Sequence, residues 1–587
     1  MEDMKGLNLA LNTGVGGVSD DEDRLVLALD FGTTFSGVAY VFANDPEKIY
    51  TIDSWPGAPD RIVPKAPTEL QYTPESTNKF KWGYELEHSL QEKVTGLKLL
   101  LDPDQNRPYW IPSDPHADIA KLPKPVVEVA SDYMKAIFQH AIAEVEKGYL
   151  PGFIKGFKKQ YVLTVPAVWS DTAKAMTERA ARMAGISPVE MITEPEAAAL
   201  FTLQTMRDKG LSVGDAIVIC DAGGGTVDLI SYEIASLSPF EVKALTIPSG
   251  GAHGSLMLNR SFEEVIKQAV GEDAFLGLKK TEGYRNALRE FDVAHKLSFR
   301  GPGDSERYVS FPMANLNDNK AKGLVKNCMT LSGQTMFRIF DPIIREIDKL
   351  VLEQVRDVQI KRLESNNSSG VTAIFLVGGF GASAYLKESI QASNPKIMVV
   401  QPKEAWSAIV KGAAMSKLPL GPTRPAVIST RAAKHYGVSF HNAWDSIRDK
   451  GQPKLKLKFW TGDRCNLMQW YINKEDELER GKKYSYGFSR RIKGHDPDPT
   501  ALVVTDSLSE CTSVSAPVHP DDHVKLNCAL VTDLTNVPKS CFQEQVLDGE
   551  QYSMIDYDLL LENLPSGLMK FSIKIDGTEY KAIEATY

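Results

Sequence analysis

Apolar residues fall into short unbroken runs, then into alternating or three- and four-residue steps, and this pattern divides the chain into strands and helices. Leu25 to Tyr40, LVLALDFGTTFSGVAY, sets an apolar strand, a short Gly/Thr turn and a second apolar strand in succession. It predicts a hairpin whose first strand is buried on both faces. Ala216 to Ile234, AIVICDAGGGTVDLISYEI, repeats that design. Between them, Val126, Val129, Ala130, Tyr133, Ile137 and Ala141 recur at helical spacing and predict an amphipathic helix over 126–145. Tyr161 to Val168 reads as a strand ending at a proline turn, after which Ser170 is placed to cap a helix running to Gly185. Gln334 to Val355 predicts a long helix interrupted near Pro342, because proline removes a backbone donor. Ala373 to Gly381 predicts a strand entering a glycine turn, followed by a helix from about Ser383.

Past the proline-rich stretch PLGPTRP (Pro419–Pro425) the pattern changes to short alternating segments: LKLKFW, MQWYINK, KYSYGFS, ALVVTDS, KLNCALV and MKFSIKI. Turn residues separate them, as in a small sandwich or barrel. The expected organisation is a flexible acidic tail over 1–23, an α/β region with two related halves over 24–420, and a β-rich domain over 426–587.

Length and composition narrow the function. A chain of 587 residues holds more than one core, and 43% hydrophobic with 24% charged residues is the balance of an ordinary globular protein. A net charge of -9 argues against a nucleic-acid binder that relies on a basic field. No apolar run approaches the roughly 18 to 20 residues that span a bilayer, so no membrane partner is expected. The six cysteines have no CxxC spacing, which suits reduced thiols in a cytoplasmic or nuclear protein better than a zinc site or a disulfide framework. His519 and His523 flank Pro520-Asp521-Asp522, a composition that fits an exposed loop better than a metal site.

The chemistry concentrates in the two hairpin turns, Asp30-Phe31-Gly32-Thr33-Thr34 and Asp221-Ala222-Gly223-Gly224-Gly225-Thr226. Glycine admits a left-handed backbone and lets N–H groups approach a ligand with no Cβ in the way. Successive N–H groups in such a turn make an anion-binding nest, and threonine hydroxyls add donors. An aspartate at the mouth of each turn suits a hydrated Mg²⁺ on phosphate oxygens. One such turn is commonplace; two, each after a buried strand, point to a duplicated fold gripping one phosphate ligand from both sides. No G-x-x-x-x-G-K-[ST] segment occurs, so the chain is not a P-loop protein.

The segments LALDFGTTFSGVAY, YVLTVPAVW, ITEPEAAAL, VICDAGGGTVDL, IFLVGGFGAS and VKGAAMS stand in the order found in the heat shock protein 70 family. The resemblance runs over about 24–418 and is close only at these motifs. Their wording is most similar to the divergent branch typified by heat shock protein family A member twelve. It implies a two-lobed, actin-like (ribonuclease H-like) α/β ATPase domain that binds ATP or ADP with Mg²⁺, followed by the β-rich domain. By motif, Asp30, Asp221 and Asp228 would hold the metal's water shell. Gly32, Thr33 and Thr34 from one lobe, with Gly223, Gly224, Gly225 and Thr226 from the other, would meet the β- and γ-phosphates. Glu194 matches the family residue that positions the attacking water, with Asp30 and Asp221 beside it in the catalytic set. Gly378, Gly379 and Gly381 resemble the turn beneath the adenosine, and Asp292, His295 and Lys296 a loosened form of the helix that contacts ribose and base.

Two departures stand out. Ala382 takes the place of an adenine-packing arginine, and Glu87 or His88 falls where a lysine facing the transferring phosphate is expected. No long helical lid follows the β segments. The resemblance therefore implies a slow ATP-hydrolysing, chaperone-like protein, with protein clients or co-chaperones as partners, whose nucleotide state alters the β-rich domain. A nucleotide-gated scaffold with negligible turnover and a small-molecule kinase of the same superfamily are the competing readings.

Overall fold

The computed structural model describes residues 23–586 apart from 74–75, 88, 90–92, 103–114, 207–209, 419–425, 458–461, 495–498, 548 and 582–583. The tail expected over 1–23 lies outside the described residues except for Asp23, and the PLGPTRP break lies wholly outside them.

The first expected hairpin forms as β1 (Arg24–Asp30) and β2 (Phe35–Phe42), antiparallel with Asp30 opposite Gly37. The edges of β2 carry β3 (Tyr50–Thr51) and β4 (Ala66–Pro67). On its other side β1 runs parallel to β5 (Lys158–Val165), which runs parallel to β6 (Val189–Thr193). This six-stranded sheet forms lobe one. The helix expected over 126–145 is α1 (Val126–Lys147). Ser170 caps α2 (Asp171–Met183) by accepting from the Ala173 N–H, and Gly185 follows its end with φ at +84°. Then comes α3 (Glu194–Met206).

Lobe two repeats the plan with β7 (Ala216–Ala222), β8 (Val227–Leu237), β9 (Phe240–Ala244) and β10 (Ser249–Gly251). The helices α4 (Leu256–Val270), α5 (Glu282–Glu290) and α6 (Gly333–Glu364) follow. Next are β11 (Val371–Val377), α7 (Ala384–Ser393), β12 (Met398–Val400) and α8 (Ala408–Met415). The interruption expected at Pro342 is absent: α6 runs through it. Proline removes one backbone donor there, while Ile339, Phe340, Ile343 and Ile344 on either side are all buried, so packing holds the helix together.

β1 has both faces buried. Leu25, Leu27 and Leu29 pack outward with α1 and α2; Val26 and Ala28 pack inward, where α3 and α8 lie between the two sheets. Each of the leucines and Val26 contributes about 1.5–3 kcal/mol on burial. The two inner helices cross closely, since a Cβ on Gly412 would lie 1.7 Å from the Ala197 carbonyl oxygen. Glycine and alanine in ITEPEAAAL and VKGAAMS are what this crossing requires. The outer face of lobe two packs Val218, Cys220 and Leu376 against α4 and α6.

The C-terminal region is a pair of five-stranded antiparallel sheets, with Leu508, Ile555 and Leu561 among the residues filling the core between them. MQWYINK, KYSYGFS, ALVVTDS, KLNCALV and MKFSIKI fall on or within the strands Arg464–Ile472, Lys483–Lys493, Val503–Cys511, Lys525–Asp533 and Met569–Ile575. Residues 458–460 of LKLKFW lie outside the described residues; of the described part, Leu455 forms an isolated bridge with Arg464. The strand Ala426–Arg431, which opens this region, belongs to lobe two's sheet: it pairs parallel with β9 and carries Glu477–Glu479 on its far side. Asn527 Nδ2 donates to Asp171 on α2 at 2.6 Å, Arg480 pairs with Glu196 on α3, and Leu568 enters the lobe-one core. All six cysteines are free, and among the described residues no helix is long and apolar enough to cross a membrane.

Candidate functional site

The strands β1 and β7 end at one point between the lobes, and their turns meet there. A Cβ on Gly224 would lie 2.1 Å from Thr34 Oγ1, and one on Gly225 would lie 2.8 Å from Thr33 Oγ1. Only hydrogen fits between these backbones and the opposing threonines. The Gly32 N–H donates to Ser36 Oγ at 3.2 Å and the Gly223 N–H to the Thr226 carbonyl at 2.9 Å, which tightens each turn. The N–H groups of Gly254, Ser255 and Leu256 donate to Gly225, Gly223 and Gly224, pinning the second turn to the start of α4. The turns line a cleft of about 920 Å³.

Three buried carboxylates, Asp30, Asp221 and Glu194, line its floor, and a fourth, Asp228, is buried behind them. Asp30 is held on both oxygens, by Lys65 Nζ at 2.6 Å and Thr164 Oγ1 at 2.9 Å. Burial would raise its pKa, but Lys65 and Lys98 together hold it below the ordinary value. Asp221 and Asp228 stand opposite each other on β7 and β8. Asp221 Oδ1 and both Asp228 oxygens have no hydrogen-bond partner; the Thr226 hydroxyl and Val168 N–H face Asp228 without reaching bonding geometry. Burial, with Glu194, Asp228 and Asp30 close by, pushes the Asp221 pKa well up. Burial likewise raises Asp228 against the pull of Thr226 and Lys98. Asp228 sits behind the second turn, outside the cleft lining.

Glu194 opens α3 and forms an ion pair with Lys98 Nζ, both side chains buried. Burial outweighs that lysine and lifts the Glu194 pKa to about 7. For Lys98 the balance goes the other way: Glu194 and Asp30 outweigh burial and raise its pKa. No lysine stands at Glu87 or His88, where one is expected, but Lys98, further along the chain, lines the cleft as a buried lysine. Glu87 instead pairs with Arg61 at 2.9 Å and with Arg289 of lobe two at 3.5 Å. His88 lies outside the described residues.

Beside Asp221, Gly378 has φ at +82°, and a Cβ there would fall 2.3 Å from Asp221 Oδ1. Gly379 also lines the cleft; Gly381 does not, and faces Leu376. Asp292 and Lys296 line it as a 2.6 Å ion pair, with the Lys296 pKa lowered by burial despite Asp292. His295 is not brought in: its Nε2 bonds to the Tyr308 carbonyl at 2.9 Å. Ala382 reaches the cleft with no cation to offer, and Trp406, edge-on to Phe35 at 5.6 Å, supplies the aromatic surface.

Sequence reasoning missed Lys65, Lys98 and Trp406. Lys98 had a signal, a charge inside the run Leu97-Lys98-Leu99-Leu100-Leu101, where burial requires a partner. His519 sits outside the cleft, its Nε2 2.8 Å from Asp449 Oδ1 with Cys465 nearby. Arg448 forks onto both oxygens of Asp449 and the Asp445 N–H donates to it as well, so three donors besides His519 already occupy that carboxylate.

Residues 140–424 match the Hsp70 protein family model, a span that begins in α1 and ends past α8. The chain is 26% identical to human heat shock 70 kDa protein 12A, covering 88% of this chain and 86% of that protein. It is also 26% identical to human heat shock 70 kDa protein 12B, over 78% and 77% of the two chains. Against a chaperone protein HscA homolog from Vibrio parahaemolyticus it is 30% identical over 47% and 42%. Two glycine hairpins closing on one cleft, a matching domain and relatives aligned along most of the chain agree: this chain resembles the Hsp70 family and has an actin-like α/β fold.

Proposed function

We propose that the cleft binds ATP or ADP with Mg²⁺, and that the chain is a slow ATP-hydrolysing, chaperone-like protein. The observation that carries this reading is the meeting of Gly224 with Thr34 beside buried carboxylate oxygens that have no partner. A fold gains nothing from leaving such oxygens unsatisfied unless a ligand completes them.

The residues fit a hydrated divalent cation. Asp221 and Asp228 would hold its water shell, with Asp30 across the cleft, and the ion would neutralise charge on the phosphates. Gly32, Thr33 and Thr34 would donate to the phosphates from lobe one, and Gly223 to Thr226 from lobe two. Glu194, with its pKa near the operating pH, would orient the attacking water and accept its proton. Lys98 would hold positive charge beside the transferring group. Gly378, Gly379, Asp292 and Lys296 would receive the nucleoside.

Lobe closure would reach the C-terminal sheets through Ala426–Arg431, which extends lobe two's sheet, and through Asp171 and Glu196 on lobe one's side. A ligand that favours one lobe angle shifts that equilibrium by its differential affinity. Protein clients or co-chaperones would then be the recipients. The test is ATP turnover by the full chain beside its Glu194→Gln variant, with calorimetric titration of ATP and ADP. Binding with turnover that depends on Glu194 supports the ATPase; binding without turnover makes the chain a nucleotide-gated scaffold. Phosphate transfer to a sugar panel would make it a kinase.

A further inference from the structure

Lys65 has no part in the scheme above, yet its Nζ lies 2.6 Å from Asp30, the carboxylate that opens the first phosphate turn. It lies just before β4, at the cleft wall, and is 5% exposed. The local chain is built to admit it. A Cβ on Gly37 of β2 would lie 2.9 Å from Lys65 Cγ, so glycine there clears the path of the stem. Tyr84 Oη donates to the Lys65 carbonyl at 3.2 Å and fixes its backbone. Its ammonium has three donors. One goes to Asp30, and no other acceptor among the described residues takes the rest.

This pairing divides the carboxylates into two kinds. Asp30 already holds a cation and a hydroxyl, and a metal's water shell would have to displace Lys65 to reach it. Asp221 and Asp228 keep unpartnered oxygens. A buried ion pair is a poor device for stability alone, because desolvation offsets the attraction. Donors left over in the wall of a cleft lined by two phosphate-type turns give it another use.

Building on the nucleotide reading, we propose that Lys65 is a built-in phosphate-binding cation, acting from lobe one as a metal acts from lobe two, so that nucleoside di- and triphosphates bind without a divalent metal. Asp30 is then the residue that aims and stores this ammonium.

The experiment is calorimetric titration of the full chain with ADP, once in excess Mg²⁺ and once in EDTA. Wild type is expected to bind in EDTA within about tenfold of its Mg²⁺ affinity. Lys65→Met, which keeps the stem, should lose about tenfold to hundredfold in EDTA, the worth of one charged hydrogen bond, and recover part of it in Mg²⁺. Binding by wild type in Mg²⁺ but not in EDTA overturns the inference and leaves the nucleotide reading standing. Unchanged binding by Lys65→Met in EDTA overturns it too. No binding in either medium overturns both. Should Lys65→Met unfold because Asp30 is left unpaired, as melting would reveal, Asp30→Asn/Lys65→Met removes the stranded charge and is read the same way.

Discussion

Gly224 and Thr34 touch across the cleft so closely that a single added carbon on the glycine would sit 2.1 Å from the threonine hydroxyl. Two turns from opposite halves of a duplicated fold thus share one small volume. Replacement of Gly224 by valine is expected to abolish ATP binding, because the side chain must push the turns apart by more than the neighbouring Cβ of Thr34, at 2.9 Å, can yield. The turn is half-buried, so far-UV circular dichroism of Gly224→Val should match wild type while affinity falls by about a hundredfold or more.

The Lys98–Glu194 pair predicts a strongly non-additive cycle. Lys98→Ala leaves a buried glutamate uncompensated and should destabilise the protein by about 3–5 kcal/mol. Adding Glu194→Gln should recover much of that loss. Thermal or urea melting of the two singles and the double measures it.

Turnover should follow the ionisation of Glu194. Its pKa is about 7, so the rate should climb as pH rises through that value and level off above it. Glu194→Gln should lower turnover by about a hundredfold, remove the pH step, and leave ADP affinity within a few-fold of wild type.

Stability of the ligand-free chain should fall as pH rises from the ordinary carboxylate range toward neutrality. Asp221, Asp228 and Glu194 all have folded pKa values raised above the unfolded ones. Their contribution is fully present below the unfolded value and lost as pH rises through the folded one, which for Glu194 closes near 7. The lowered pKa of Asp30 acts in the opposite sense, and only in acid. Asp221→Asn should therefore melt higher than wild type at about pH 8, by roughly 2 °C or more, while losing the gain that Mg²⁺ and nucleotide confer.

How much of this was legible in the sequence depended on range. The hairpins were, because strand, aspartate and glycine turn are adjacent in the chain and each glycine serves a local backbone need. The capped helix after Ser170 and most of the C-terminal strands were legible for the same reason. The partners of Lys65 and Lys98 were not, since they lie 35 and 96 residues away: the apolar run around Lys98 announces a buried charge but not which carboxylate meets it. Pro342 misled because the donor it removes is a local fact, whereas the packing that keeps α6 whole is tertiary. Ala426–Arg431 looked like the start of a separate β region, and nothing in its own residues points to β9 as its neighbour.

The most direct measurement is calorimetric titration of the full chain with ATP and ADP in Mg²⁺, beside Gly224→Val. Saturable binding at a single site in wild type, lost in a Gly224→Val protein that remains folded, is the predicted result. A folded wild type that takes up neither nucleotide, or a Gly224→Val protein that binds as well as wild type, would contradict it.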